Sequence, residues 1–192
     1  MKKVRYLLLL FSLMIFFTAC SSGYKAADDI YKKIHSRYYD IDSYSVNCTI
    51  TSYTNGEENN YECFIKYDKD KNSYCIGSDG MTIEITDDKT IVSKGDNVLE
   101  TQTQNSDMPI FINTFFKSYY QSENTSMSVS ADSDRNYVLL ECDAVNSDKL
   151  NSGMKLWIDK KSVKPKKMQI TDSEGNMHMQ ILFKDFKFIQ NV

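Results

Sequence analysis

The stretch YSVNCTITSYTNGEENNYECFIKY, residues 44–67, decides the fold because it encodes two strands joined by a tight turn. Apolar and polar residues alternate over residues 44–53, the period of a strand with one buried face, and residues 61–67 form a second strand. Between them lies Asn55-Gly56, the strongest two-residue hairpin signal, since both turn positions must accept a positive φ. We therefore predict an antiparallel hairpin, with a longer loop through the polar residues 57–60 as the alternative.

Beyond this hairpin, the period of two recurs in short segments that are separated by polar turns. These segments are residues 73–77, 82–86, 90–93, 98–103, 125–130, 137–145, 155–159, 167–171 and 177–188. Two other segments have the period of a helix. One runs from about residue 24 to residue 39 or 40, and the other starts at Asp107, which we predict to cap it, with Pro109 in its first turn. We predict about ten antiparallel strands and two helices, a mainly β fold of the α+β class.

The composition indicates a globular domain and argues against several functional classes. Of the 192 residues, 26% are charged and 41% hydrophobic, and 7 Gly and 2 Pro exclude a collagen-like or Gly/Pro-rich disordered chain. The net charge of −3 and the pI of about 5.4 argue against a nucleic-acid partner bound through a basic surface. The 13 Tyr and 10 Phe favour a sheet-rich fold.

The N-terminus has the pattern of a secretory signal peptide. Three cations among residues 1–5 precede a short apolar run over residues 6–17, and small residues follow. The run is shorter than the roughly 18 to 20 apolar residues that a bilayer-spanning helix needs. We therefore expect the segment to direct export and to be removed.

The exit from the apolar run resembles the lipobox of bacterial lipoproteins. Residues 17–20 read Phe-Thr-Ala-Cys, and in that motif the cysteine, here Cys20, receives a diacylglycerol anchor and becomes the mature N-terminus. Two buried acyl chains suffice for stable membrane anchoring. The predicted organisation is a signal peptide over residues 1–19, a lipidated Cys20 with its tether over residues 20–23, and a folded domain over residues 24–192.

The hairpin turn also determines which cysteines face each other. Counted outward from a two-residue turn, Cys48 lies opposite Cys63 as a hydrogen-bonded pair, with an expected Cα spacing of about 5.5 Å. That spacing lies within the range of a disulfide, which an exported protein can form. A longer turn would shift the register. The alternative is that Cys48, Cys63, Cys75 and Cys142 are buried, inert thiols.

The sequence contains no recognisable catalytic, metal or cofactor motif. No Cys-x-x-Cys pair, nucleophile elbow, phosphate loop or dinucleotide fingerprint occurs. His35 and His178 have no second ligand nearby in the sequence, and the acidic clusters lack the spacing of a calcium loop. We therefore expect no enzyme, no cofactor and no metal site.

The second helix has an unusually aromatic face. Its apolar positions recur at helical spacing and are Ile112, Phe115, Phe116 and Tyr119. Such a face forms ordinary core, or it lines a cavity for an acyl chain or a peptide. The periodicity alone does not separate these alternatives.

The C-terminal third carries a family resemblance. The segments Lys-Leu-Trp-Ile-Asp at residues 155–159, Pro-x-Lys-Met at 165–168, Thr-Asp-x-x-Gly at 171–175 and Phe-Lys-Asp-Phe-Lys at 183–187 resemble the LolA/LolB-like lipoprotein-sorting superfamily. The order of helix, meander and mid-chain helix fits the same plan. The resemblance implies an incomplete antiparallel β-barrel wrapped around one or two helices, often with a hydrophobic cavity.

Within that superfamily, the size, lipobox and composition resemble the clostridial spore germination lipoproteins. This resemblance implies a non-enzymatic protein that activates its partner, a cortex-modifying N-acetylmuramoyl-L-alanine amidase. It also implies anchoring to the outer face of the cytoplasmic membrane, facing the forespore intermembrane space. The alternative is a carrier, acceptor or sensor of lipids or lipoproteins. Because an open barrel exposes sheet edges, we also predict a homodimer formed by strand exchange.

Overall fold

In the computed structural model, the hairpin of residues 44–67 forms as predicted. β1 (Tyr44–Thr54) pairs antiparallel with β2 (Glu57–Asp68), in an unbroken register from Thr54↔Glu57 to Tyr44↔Tyr67. Gly56 has φ 80°, the left-handed conformation that a two-residue hairpin turn requires. Residues 57–60 each pair with a residue of β1, so they extend the strand and do not lengthen the loop.

The structure describes most of the chain after residue 26. The described residues are 27–54, 56–103, 107–129, 136–145 and 147–189. The chain divides into two compact units, Met1–Arg37 and Tyr38–Val192. The predicted signal peptide, the lipidated Cys20 and the tether lie outside the described residues, so these assignments stay predictions.

The first helix, α1, covers the described residues 27–38 and ends one or two residues before the predicted end. On its exposed surface, the Lys32 ammonium donates a hydrogen bond of 2.5 Å to the Asp28 carboxylate one turn earlier. Such an exposed pair stabilises the helix only weakly, because water screens the two charges. Among the described residues, no helix combines the length and the apolar character needed to cross a membrane.

An antiparallel sheet dominates the second unit. After β1 and β2, its strands are β3 (Ser73–Ser78), β4 (Met81–Ile85), β5 (Lys89–Lys94), β6 (Asn97–Gln102), β7 (Thr125–Val129), β8 (Tyr137–Asp143), β9 (Gly153–Asp159), β10 (Pro165–Thr171) and β11 (Met177–Phe188). Within the described residues, these eleven strands follow the order β6-β5-β4-β3-β2-β1-β11-β10-β9-β8-β7. The sheet is open, with β6 and β7 at its two ends. The predicted incomplete antiparallel barrel is confirmed.

The second helix, α2 (Ile112–Gln121), starts later than the sequence predicts. Phe111 is its N-cap, without a side-chain hydrogen bond, so the prediction that Asp107 caps the helix and that Pro109 lies in its first turn is wrong. Pro109 belongs to a turn that the Phe111 amide closes by donating to the Met108 carbonyl at 3.1 Å. Asp107 instead pairs with Lys117 on the helix itself.

α2 and its N-cap contact both halves of the sheet, the half formed by β1–β6 and the half formed by β7–β11. The ring of Phe111 stacks on Tyr74 of β3, with 3.8 Å between the ring centroids. At the other side, the Ser118 hydroxyl accepts a hydrogen bond of 3.2 Å from the amide of Val145, which follows β8. The hydrophobic core therefore includes the helix itself, whose buried residues are Ile112, Thr114, Phe115, Phe116, Ser118 and Tyr119.

Truncation of a core side chain on α2 should destabilise the fold strongly. Phe115 is 0% exposed, so Phe115→Ala should lower the free energy of unfolding by about 3–5 kcal/mol through lost burial and the cavity left behind. The matched control Leu150→Ala removes an apolar side chain that is 53% exposed and should change it by less than about 0.5 kcal/mol. Chemical denaturation measures both, and equal effects would contradict the placement of Phe115 in the core.

Candidate functional site

The aromatic face of α2 lies in the interior of the second unit. The four side chains singled out in the sequence, Ile112, Phe115, Phe116 and Tyr119, are exposed by 1, 0, 2 and 9%. They are buried because they recur at positions i, i+3, i+4 and i+7 and so share one helix face. Their role towards a ligand or a partner stays a prediction.

Stacked rings fix the position of this face. Tyr38 stacks on Phe116 with 4.2 Å between centroids, and Phe115 packs edge-on against Phe116 at 5.4 Å. The Tyr38 hydroxyl donates a hydrogen bond of 2.6 Å to the Val163 carbonyl and so ties the stack to the turn before β10. Aromatic pairs of this kind contribute about 0.5–1.5 kcal/mol beyond the area that they bury. The interior is therefore a packed and ordered core.

The hollows beside α2 are small or polar. One, of about 180 Å³, lies between Thr114, Ser118 and Met154, below the roughly 300–1,000 Å³ typical of ligand sites. A shallower groove of about 530 Å³ is lined in part by Asp87 and Lys117. An acyl-chain site needs a continuous apolar lining, and neither hollow supplies one.

The edge strand β6 presents the most exposed apolar side chains of the sheet. All six of its residues are exposed, and Val98 and Leu99 are exposed by 67 and 65%. Since neighbouring residues of a strand point to opposite faces, the two side chains lie on opposite sides of the sheet. One edge of β6 pairs with β5, from Lys94↔Asn97 to Lys89↔Gln102. The other edge offers backbone groups to an incoming strand.

Sequence reasoning predicted exposed sheet edges in general but did not single out these two residues. The sequence contained a signal for them, because Val98 and Leu99 are adjacent apolar residues. In a strand, such neighbours place one apolar side chain on each face. Val98-Leu99 therefore departs from the alternation of apolar and polar residues and leaves apolar side chains exposed on both faces of β6.

The remaining residues considered in the sequence do not form a reactive cluster. His35 lies on α1, with its ring centroid 6.0 Å from that of Tyr31, and His178 lies on β11. In the described part of the chain, no group of three or more His, Cys, Asp or Glu side chains could hold a metal ion.

The cysteine pair lies where the turn arithmetic predicted. Cys48 and Cys63 are directly opposite each other in the β1–β2 register, and their Sγ atoms are 2.9 Å apart. Cys48 is fully buried and Cys63 is half-buried, and both are thiols in the structure, as are Cys75 and Cys142. The paired register is confirmed, whereas the disulfide stays a prediction.

The chain matches a family and several solved structures. The family described as "Sporulation protein YdcC-like" matches residues 1–192. A chain of the complex between the CwlD amidase and the GerS lipoprotein from Clostridioides difficile superposes with a TM-score of 0.51 at 23% identity, over 84% of this chain and 95% of that chain. No curated protein sequence matches.

Two further structures were found in the same comparison. An uncharacterised conserved protein from Thermus thermophilus superposes with a TM-score of 0.52 at 9% identity, over 86% of this chain and 89% of that chain. A LolA superfamily protein from Nitrosomonas europaea superposes with a TM-score of 0.43 at 14% identity, over 87% of this chain and 94% of that chain. At these identities, the likeness to the C. difficile and T. thermophilus chains shows a shared fold.

Proposed function

Because the chain belongs to the sporulation protein YdcC-like family, we propose that it is a non-enzymatic lipoprotein required for spore germination. In this proposal, it binds an N-acetylmuramoyl-L-alanine amidase of the CwlD type and activates it, so that muramic-δ-lactam forms in the cortex peptidoglycan. The family and the fold shared with a chain of the CwlD–GerS complex support this function.

The filled interior carries the proposal. The side chains of α2 occupy the space that a lipid carrier would leave for its cargo: Phe115 is 0% exposed and Phe116 2%. What remains available to a partner is therefore the outer surface and the sheet edges. A protein that acts through its surface can activate an enzyme only by binding the active conformation more tightly than the inactive one.

The activation should be visible with purified proteins. The amidase encoded in the same genome should release stem peptides from cortex peptidoglycan about tenfold faster when the full chain is present, a typical size for coupling between proteins. The chain alone should release none, and the heat-unfolded chain should leave the amidase rate unchanged. Mass spectrometry of the muropeptides gives the rate of stem-peptide release. An unchanged rate, with acyl lipids recovered from the purified chain, would instead establish the carrier function.

We also propose that the protein is held at the outer face of the cytoplasmic membrane by lipid on Cys20. Cys20→Ser should move the protein from the membrane fraction to the soluble fraction, since the acyl chains supply the membrane affinity. Ser22→Ala, a neighbouring change that keeps the cysteine, should leave the protein on the membrane. Immunoblots of the two fractions measure the distribution. Retention of Cys20→Ser on the membrane would contradict lipid anchoring.

We further propose that a second copy covers β6 by strand exchange. Lysine on an edge strand opposes pairing, so the double change Val98→Lys and Leu99→Lys should halve the mass measured by light scattering. Leu150→Lys, at an apolar residue that is 53% exposed and lies outside the strands, is the matched control and should leave a dimer. A monomeric mass for the unchanged chain would refute the homodimer.

A further inference from the structure

Two thiols on the central hairpin lie within reach of each other. Cys48 and Cys63 occupy opposite positions of β1 and β2, and the register between these strands runs without interruption on both sides of the pair. Their Sγ atoms are 2.9 Å apart and share one hydrogen bond. Because directly opposed residues of antiparallel strands point to the same face, neither backbone must move for the sulfur atoms to meet. The geometry points to an oxidation site: we propose that Cys48 and Cys63 form a cross-strand disulfide by exchange with a disulfide-form oxidant.

The two thiols differ in access. Cys48 is 0% exposed, whereas Cys63 lines an open groove together with Gly77 and Gly80 at the β3–β4 turn. An oxidant that approaches from solvent therefore meets Cys63 first and has no direct path to Cys48.

The shared hydrogen bond also favours Cys63 as the thiol that reacts first. The hydrogen bond between the two thiols lowers the pKa of the Cys63 thiol, while that bond and burial raise the pKa of the Cys48 thiol. The Glu62 carboxylate raises the pKa of the Cys48 thiol and the Lys184 ammonium lowers it. These two effects partly cancel, because the ammonium lies 3.1 Å from the carboxylate. Since the thiolate is the nucleophile in thiol–disulfide exchange, Cys63 is the group that attacks.

The chemistry balances in two exchange steps. In the first, the Cys63 thiolate attacks one sulfur of the oxidant, the oxidant's sulfur–sulfur bond breaks, and one thiolate leaves and takes up a proton. In the second, Cys48 gives up its proton and attacks the sulfur of Cys63, so that the second thiolate leaves. The two protein thiols lose two electrons and two protons, and the oxidant is reduced to two thiols.

The other two cysteines among the described residues have no cysteine opposite them. Cys75 on β3 lies opposite Lys66 and Glu84, and Cys142 on β8 lies opposite Thr125 and Met154. Burial raises the pKa of the Cys142 thiol to about 12, which holds it in the protonated, unreactive form. These two residues therefore serve as internal references for the reactivity of the pair.

The test uses the full-length lipoprotein purified in detergent, with oxidised glutathione as the oxidant. After oxidation, the protein is unfolded in the presence of N-ethylmaleimide and analysed by intact mass and peptide mapping. We expect the loss of two hydrogen atoms, one linked peptide pair that contains Cys48 and Cys63, and maleimide on Cys75 and Cys142. The oxidised form should also have a higher denaturation midpoint than the reduced form, because the bond restricts the unfolded chain.

Two variants test the order of the steps. Cys48→Ser removes the resolving thiol, so Cys63 should retain one glutathionyl group as a mixed disulfide. Cys63→Ser removes the accessible thiol, so Cys48 should stay unmodified while the protein is folded. The matched control Cys75→Ser should oxidise as the unchanged chain does.

Three results would overturn the proposal. The first is maleimide on both Cys48 and Cys63 of the unchanged chain after oxidation. The second is a disulfide that involves Cys75 or Cys142, and the third is a glutathionyl group on Cys48 in folded Cys63→Ser. If a variant fails to fold, as circular dichroism would show, the peptide map of the unchanged chain still decides. None of these results depends on amidase activation.

Discussion

The antiparallel pairing of β1 with β11 is the constraint on which the rest of the sheet depends. In the strand order, β1 to β6 form one half of the sheet and β7 to β11 form the other. The two halves are hydrogen-bonded to each other at the β1–β11 ladder. The ladder joins Tyr44 to Phe188 and Ser52 to Met179, near opposite ends of the second unit's sequence. Such non-local pairing costs chain entropy before its hydrogen bonds and side-chain contacts stabilise it.

A bulge adapts this central ladder to the core. The register shifts between Ser45 and Asn47, and Asp185 takes φ 52° on the opposite strand. Beside the shift, the ring of Phe186 stacks on Tyr44, with 5.1 Å between their centroids. Bulges bend and twist the strand that carries them, and curvature is what allows one sheet to enclose a helix. α2 then adds side-chain contacts to both halves, through Tyr74 on β3 and Val145 after β8.

This construction leaves the proposed binding surfaces outside the core. A sheet that encloses its own helix has little room for cargo, yet its two end strands are left open. Of these, β6 combines an open backbone edge with exposed apolar side chains on both faces. The cysteine pair lies on the central hairpin, beside the ladder that joins the two halves. A covalent bond there would restrain the part of the fold on which both halves depend.

The sequence by itself determined the features that depend on local geometry. The Asn55-Gly56 turn and the period of two determined the β1–β2 register and, with it, the opposition of Cys48 and Cys63. A two-residue turn leaves one register, because a slip by one residue would turn the buried face outward. The apolar spacing of α2 likewise determined which of its faces would be buried.

Only the tertiary structure decided features that depend on distant residues. Asp107 looked like a helix cap, but its carboxylate pairs with Lys117, and the helix starts only after the turn at Pro109. No local pattern shows that β11 pairs with β1. Nor does one show that the aromatic face of α2 fills the interior, since the same spacing would line a cavity if the two halves of the sheet lay farther apart. Periodicity specifies which face of an element is apolar, whereas the long-range pairing of the strands decides what that face meets.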